Sequence, residues 1–247
     1  MTDNEFRIRR LAVVTTLVFL VGGLAACSSA SHPKSAPTTT AAPSSTAASG
    51  TTSPSSTSDR VSVRAIVLKV TDLPGAWKVG AIEPNSKSGD TQISRCLGIP
   101  NSDTAQTAYA GSPDFQRGTV TIFSQAYVFN STAVVAEDLR GYTSPSATGC
   151  LAQLFATQTS ATNVHITKAA LPSTARALKG FRLMGSFDVT QGGRKHSGAF
   201  DEVALEKGRV EVSVVIIGPA GATNPAGLMD RATAAIAERL DSPVSAA

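Results

Sequence analysis

Among the 247 residues, three cysteines and three histidines are the side chains best suited to making and breaking bonds. Cys27 closes the run Leu24-Ala25-Ala26-Cys27, and its thiol is the only nucleophile there able to take a diacylglyceryl group through a thioether. With that sulfur acylated, Cys96 and Cys150 remain, and a single intramolecular pairing is open to them. A disulfide persists in an oxidising compartment. Closing the 55-residue loop between the two stabilises a fold by about 4 kcal/mol in the chain-entropy model, less where the native geometry is strained. Two buried free thiols are the other reading of the same pair.

The histidines offer less. His32 sits in a Ser/Thr/Pro-rich stretch, and His165 and His196 are separated by 31 positions. No His-x-x-x-His, Cys-x-x-Cys or clustered-carboxylate spacing occurs, so no metal cage is assigned. A serine nucleophile needs a base and a preorganised elbow, and Gly-x-Ser-x-Gly is absent. Ser31-His32-Pro33-Lys34 spells Ser-x-x-Lys in a segment where no oxyanion site can be preorganised. Asp201 and Glu202 are adjacent in an extended run, so their carboxylates point to opposite faces. Gly218-Pro219-Ala220-Gly221 lacks the Lys-Ser/Thr of a phosphate loop. No catalytic residue, metal or cofactor is therefore assigned; the alternative is a hydrolase with an unrecognised site, whose base would be His165 or His196.

The segment that delivers Cys27 has the order of a secretory signal: Arg7, Arg9 and Arg10, an apolar run from Leu11 to Val21, then Gly22 and Gly23. About eleven apolar residues fall short of the roughly twenty a spanning helix needs. Leu24, Ala25, Ala26 and Cys27 together resemble the lipobox of bacterial lipoproteins, against which stand an uncleaved anchor and ordinary secretion. The resemblance implies a signal peptide over 1–26, cleavage before Cys27 and lipidation of its sulfur. Two acyl chains hold a protein stably where one gives only reversible binding, so the expected location is the cell membrane, lipid-anchored, on its extracytoplasmic side.

Residues 27–58 form the lipidated cysteine and a tether: of the 31 positions from Ser28 to Ser58, all but His32, Lys34 and Gly50 are Ser, Thr, Ala or Pro. Such a composition cannot offset the entropy of ordering, and as a flexible coil it reaches on the order of 30 Å. O-glycosylation and an unmodified spacer both suit it. The net charge is +4, or +3 without residues 1–26, and no Lys/Arg run with interleaved aromatics appears, so nucleic acid is not an expected partner. The 189 residues from Asp59 to Ala247 suit one domain.

Within 59–247 the spacing predicts a short helix over Val61 to Thr71, with Val63, Ile66, Val67 and Val70 on one face, ended by Asp72-Leu73-Pro74-Gly75. Trp77 to Ile82 reads as a strand, followed by a polar loop and a helical turn carrying Cys96. Thr119 to Phe129 reads as a strand apolar on both faces: Val120, Ile122, Ala126 and Val128 on one, Phe123, Tyr127 and Phe129 on the other. Ser131 caps a helix through about Tyr142, and Ser144-Pro145 opens another in which Cys150, Leu151, Leu154 and Phe155 share a side. Strands follow at Val164 to Ala169, through Phe181, Leu183, Phe187 and Val189 to a Gly192-Gly193 hairpin, at Ser197 to Glu206, and through Lys207-Gly208 into Val210 to Ile217. Asn224 caps and Pro225 starts a last helix whose Leu228, Ala232, Ala235, Ile236 and Leu240 face inward while Asp230, Arg231, Glu238 and Arg239 face water. Hairpins exclude a purely parallel sheet. The expected fold is α+β, a twisted antiparallel sheet with helices packed on its faces.

The lipobox, the Thr/Pro tether, Leu73-Pro74-Gly75-Ala76-Trp77, the Cys96 and Cys150 pair and the helix-sheet order together resemble actinobacterial cell-envelope lipoproteins, including relatives of the PknH-type sensor domain and of the Mog1/PsbP-like fold. The resemblance implies a non-catalytic extracytoplasmic binding or sensing module, recruiting a protein, glycan or lipid of the envelope. In that setting Asn130-Ser131-Thr132 is a helix start rather than a glycosylation site. Trp77 either seals the core or lines a ligand mouth, and the apolar strand with Phe123, Tyr127 and Phe129 is either covered on both sides or lines a lipid-sized cavity.

Cys27→Ala is expected to abolish acylation and release the protein from membranes. Metabolic labelling with a fatty acid such as palmitate checks this, and undiminished label on the variant would refute it.

Overall fold

A computed structural model describes residues 57–82, 90–222 and 227–241. Cys27, positions 28–56 of the tether, the polar loop after Ile82 and the Asn224-Pro225 helix start lie outside the described residues. In chain order the elements are α1 (Thr57–Ile66), β1 (Lys78–Ile82), α2 (Asp90–Leu97), β2 (Gln106–Gly111), β3 (Pro113–Arg117), β4 (Val120–Phe129), α3 (Thr132–Thr143), α4 (Ala147–Thr159), β5 (Thr162–Ala169), β6 (Lys179–Gln191), β7 (Arg194–Lys207), β8 (Val210–Pro219) and α5 (Leu228–Asp241). The eight strands make one open antiparallel sheet in the order β1-β3-β4-β8-β7-β6-β5, with β2 pairing β4 beside β3.

β4 dictates the layering. All ten of its residues are buried, because alternate side chains enter two different cores. Val120, Ile122, Ala126 and Val128 join Val63 and Ile66 of α1 and Leu228, Ile236 and Leu240 of α5 on one face. Phe123 joins Ile93 and Leu97 of α2, Tyr142 of α3 and Leu151 and Phe155 of α4 on the other. Tyr127 and Phe129 pack with Val135 of α3 at the end of that second face. The fold is thus the expected α+β arrangement, with five helices divided between the two faces of the sheet.

On the second face, glycine and phenylalanine alternate across the β6–β7 ladder. Gly185 pairs Phe200 and Phe187 pairs Gly198, and each ring lies where its partner's side chain would stand: an added Cβ at Gly185 would come within 2.1 Å of Phe200 and one at Gly198 within 2.4 Å of Phe187. Phe155 of α4 docks on both rings, its centroid 5.1 Å from Phe187 and 5.9 Å from Phe200. The disulfide Cys96–Cys150, with Cα atoms 5.8 Å apart, joins α2 to α4 over this layer. Lys168 of β5 donates to the carbonyl oxygens of Thr143 and Ser144, placing a cation where the C-terminus of α3 is electronegative.

Several local expectations are corrected. The first helix ends at Ile66, not Thr71, because the backbone turns onto β4: Leu68 N–H donates to the buried Ser124 hydroxyl at 2.7 Å. Val70 falls instead in a 3-10 turn (Val70–Asp72) and is 39% exposed. Arg239 does not simply face water; it donates to the carbonyls of Ile66 and Val67, closing the C-terminus of α1, and pairs with the Asp72 carboxylate. Ser131 occupies the N-cap position of α3 without a side-chain cap. Ser144-Pro145 is a turn rather than the opening of α4, which starts at Ala147. β2 and β3, which no strand had been assigned to, are two pieces of one edge broken at Ser112, whose hydroxyl accepts from Ser124 N–H at 2.8 Å and whose N–H donates to the Ser124 carbonyl at 2.9 Å.

Gly185→Ala is expected to lower stability by about 1–3 kcal/mol through overpacking against Phe200. Gly149→Ala, in the open space beside α4, is expected to raise it by roughly 0.5–1 kcal/mol through helix propensity. Urea titrations of both variants read the opposite signs.

Candidate binding cleft

The Leu73-Pro74-Gly75-Ala76-Trp77 segment sets the position of β1. Trp77 is 8% exposed, its indole N–H donates to the Pro74 carbonyl at 3.0 Å, and its ring lies 4.5 Å beneath the Arg117 guanidinium. Arg117 also donates to the Pro74 carbonyl at 2.8 Å, so β3 holds the turn that launches β1. Gly75 has φ +82°, a conformation that favours glycine. Trp77 packs in the core of the first face and is not part of the cleft lining.

Between β1, the end of α1 and the β2–β3 edge lies an open cleft of about 680 Å³. The segment Arg64, Val67, Leu68, Lys69 and Val70 lines one part of it, Val79 and Ile82 of β1 another, and residues of the β2–β3 edge, among them Pro113 and Phe115, the rest. Val79 and Ile82 are three positions apart and in a regular strand would point to opposite faces. A register shift between them in the β1–β3 pairing breaks that alternation, so both reach the cleft. The two are 53% and 59% exposed, and with Val70 they make three of the four large apolar side chains exposed among the described residues; the fourth, Met184, is on β6.

The other candidate residues lie elsewhere. Phe123, Tyr127 and Phe129 are 3%, 5% and 0% exposed, packed beneath the helices of the second face rather than on the cleft wall. The Tyr127 hydroxyl donates to Gln125 at 2.9 Å. His165 on β5 and His196 on β7 are both exposed. Asp201 is buried and receives a bidentate pair of hydrogen bonds from Arg182, at 2.9 and 2.6 Å, while Glu202 is half-buried. Among the described residues no group of three His, Cys, Asp or Glu side chains is arranged to hold a metal ion, and no helix is long and apolar enough to cross a membrane.

One electrostatic feature stands apart from the cleft. Glu206 of β7, Glu211 facing it on β8, and Asp138 of α3 are all buried on the second face. Desolvation first, then the negative charges of Glu211 and Asp138, push the Glu206 carboxyl up to about 8, against a smaller opposing effect of Lys179.

Compared with family models, curated proteins and solved structures, the chain matches none.

The folded state holds its Glu206 proton more tightly than the unfolded chain does, so stability is full below the ordinary glutamate range and falls as pH rises towards 8. Thermal melts at pH 5 and pH 8 are expected to show the higher midpoint at pH 5. Glu206→Gln is expected to remove most of that difference, a change on the order of 1 kcal/mol or more at pH 8; an unchanged pH slope would refute it.

Proposed function

We propose that this protein is a lipid-anchored lipoprotein of the extracytoplasmic membrane face, whose α+β domain is a non-catalytic binding module using the cleft beside β1. The observation that carries the reading is the convergence of Val70, Val79 and Ile82 on one concavity. Exposed aliphatic side chains gathered in a hollow mark a place where an apolar ligand gains burial on arrival. A volume near 680 Å³ falls in the range of roughly 300–1,000 Å³ typical of small-molecule sites.

The location rests on different observations. The Leu24-Ala25-Ala26-Cys27 motif supports acylation of Cys27 after signal cleavage, and the Cys96–Cys150 disulfide suits an oxidising compartment. The tether then lets the cleft sample the zone just above the lipid headgroups, where envelope lipids, glycans and proteins are met. The separate, exposed settings of His165 and His196 support a binding role over hydrolysis. The resemblance of Leu24-Ala25-Ala26-Cys27 and the Ser/Thr/Ala/Pro tether to those of envelope lipoproteins supports the same reading.

Mature protein is expected to bind the neutral apolar dye Nile red. Val79→Asp combined with Ile82→Asp is expected to weaken that binding at least tenfold, as loss of two aliphatic contacts implies, whereas Met184→Asp leaves it unchanged. Fluorescence titration decides between them, and equal binding by all three proteins would refute the cleft as the site.

A further inference from the structure

We infer that the cleft takes a monomeric single-chain amphiphile with an anionic headgroup, an inference that rests on the cleft being the binding site. The charged side chains of the lining are Arg64 and Lys69, both cationic and both exposed, and the lining includes no carboxylate. Arg64 comes from the last turn of α1 and Lys69 from the extended stretch that follows it. They flank Val67 and Leu68 in sequence and line the same hollow as Val79 and Ile82 of β1.

The nearest acidic neighbours in sequence do not cancel these charges: Asp59, before Arg64, accepts from Arg209 and Thr107, and Asp72, after Lys69, is engaged likewise. One of its carboxylate oxygens takes Arg239 and the other accepts the backbone N–H of Lys69 at 2.7 Å. The cleft thus pairs an apolar wall with a cationic rim. An acyl chain laid against Val70, Val79 and Ile82 would leave its carboxylate or phosphate at that rim. A guanidinium presents a planar fork to such oxygens and an ammonium a point charge, so both can engage one headgroup.

A neutral chain would bury the same apolar area without using the rim, and a cationic one would be repelled by it. A folded protein partner needs roughly 800 Å² of matched surface per side, whereas this concavity is of small-molecule size. The two extra features, sign of charge and small-molecule size, select the same class of ligand.

The test uses the full mature chain with three twelve-carbon probes held below their aggregation concentrations: dodecanoate, dodecanol and dodecyltrimethylammonium. Dodecanoate is expected to bind at least tenfold tighter than dodecanol, and dodecyltrimethylammonium weakest. Arg64→Gln with Lys69→Gln is expected to abolish the preference for dodecanoate while leaving dodecanol affinity within about twofold. Should the double variant fold poorly, Lys69→Gln alone is expected to lose about threefold on dodecanoate only. Equal affinity for all three probes overturns the charge assignment and leaves the cleft standing as an apolar site. No binding of any probe by folded protein overturns both. Binding to anionic vesicles of phosphatidylglycerol without binding of monomeric dodecanoate also overturns the inference, because it makes the rim a membrane-docking surface.

Discussion

β4 is buried on both faces and so is most of β8, and strands of that kind persist only when each face is covered. All of β4 and all of β8 except Val215 and Pro219 are buried. Every phenylalanine or large aliphatic side chain so enclosed contributes about 1.5–3 kcal/mol relative to exposure, but only if a helix delivers the opposing surface. Two sets of helices are therefore obligatory, and the chain must cross the sheet to supply them. α1 and α5, the first and last helices described, cover one face; α2, α3 and α4 cover the other. The disulfide and the Phe155 contacts hold the second layer together. Arg239 does the equivalent for the first by tying α5 to the C-terminus of α1.

Charge is used inside this framework mainly to fix where elements meet. Asp59 accepts from Arg209 at 3.0 Å and from Thr107 at 3.0 Å, fastening the start of α1 to the β7–β8 turn and to β2. Asp72 meets Arg239, and Asp201 meets Arg182. Each pair joins residues distant in sequence, so its geometry is available only in the correct packing. Desolvation offsets much of the attraction in buried pairs; what they secure is placement, since removing one partner strands the other charge. Glu206 follows a different rule, because its nearest charged influences are mostly negative, and protonation relieves the conflict that pairing resolves elsewhere.

The parts of the fold that could be read from sequence are those where one period dominates. The alternation along Val120 to Phe129, along Phe181 to Val189 and along Val210 to Ile217, and the helical spacing of Leu228 to Leu240, all return as elements. β2 and β3 have no dominant period of their own, since Gly111, Ser112 and Pro113 interrupt the run, and their pairing is decided by β4. The end of α1 was misplaced for the same reason. Val70 keeps the helical period, yet the hydroxyl of Ser124, 56 positions away, competes for the Leu68 amide. The cleft was illegible because its members are unremarkable singly. Arg64, Val70, Val79 and Ile82 acquire meaning only through the register shift in β1 and the early end of α1, both tertiary effects. The sequence leaves Trp77 between core and ligand mouth, and its part in aiming β1 is visible only in the fold.

An exposed edge strand bearing aliphatic side chains invites another chain to pair with it, and β1 has the composition to do so. Its form works against that outcome. It is five residues long, it opens with Lys78, and its pairing with β3 is irregular between Val79 and Ile82. A flat partner strand needs a regular row of donors and acceptors, which the shift interrupts. That irregularity also brings both aliphatic side chains to the hollow beside α1. The feature that discourages edge-to-edge association thus creates a concave apolar wall, and a slender ligand entering along the cleft can use that wall where a strand docking on the edge cannot. In the proposed binding mode the cationic pair, Arg64 and Lys69, stands where the headgroup of such a ligand would lie.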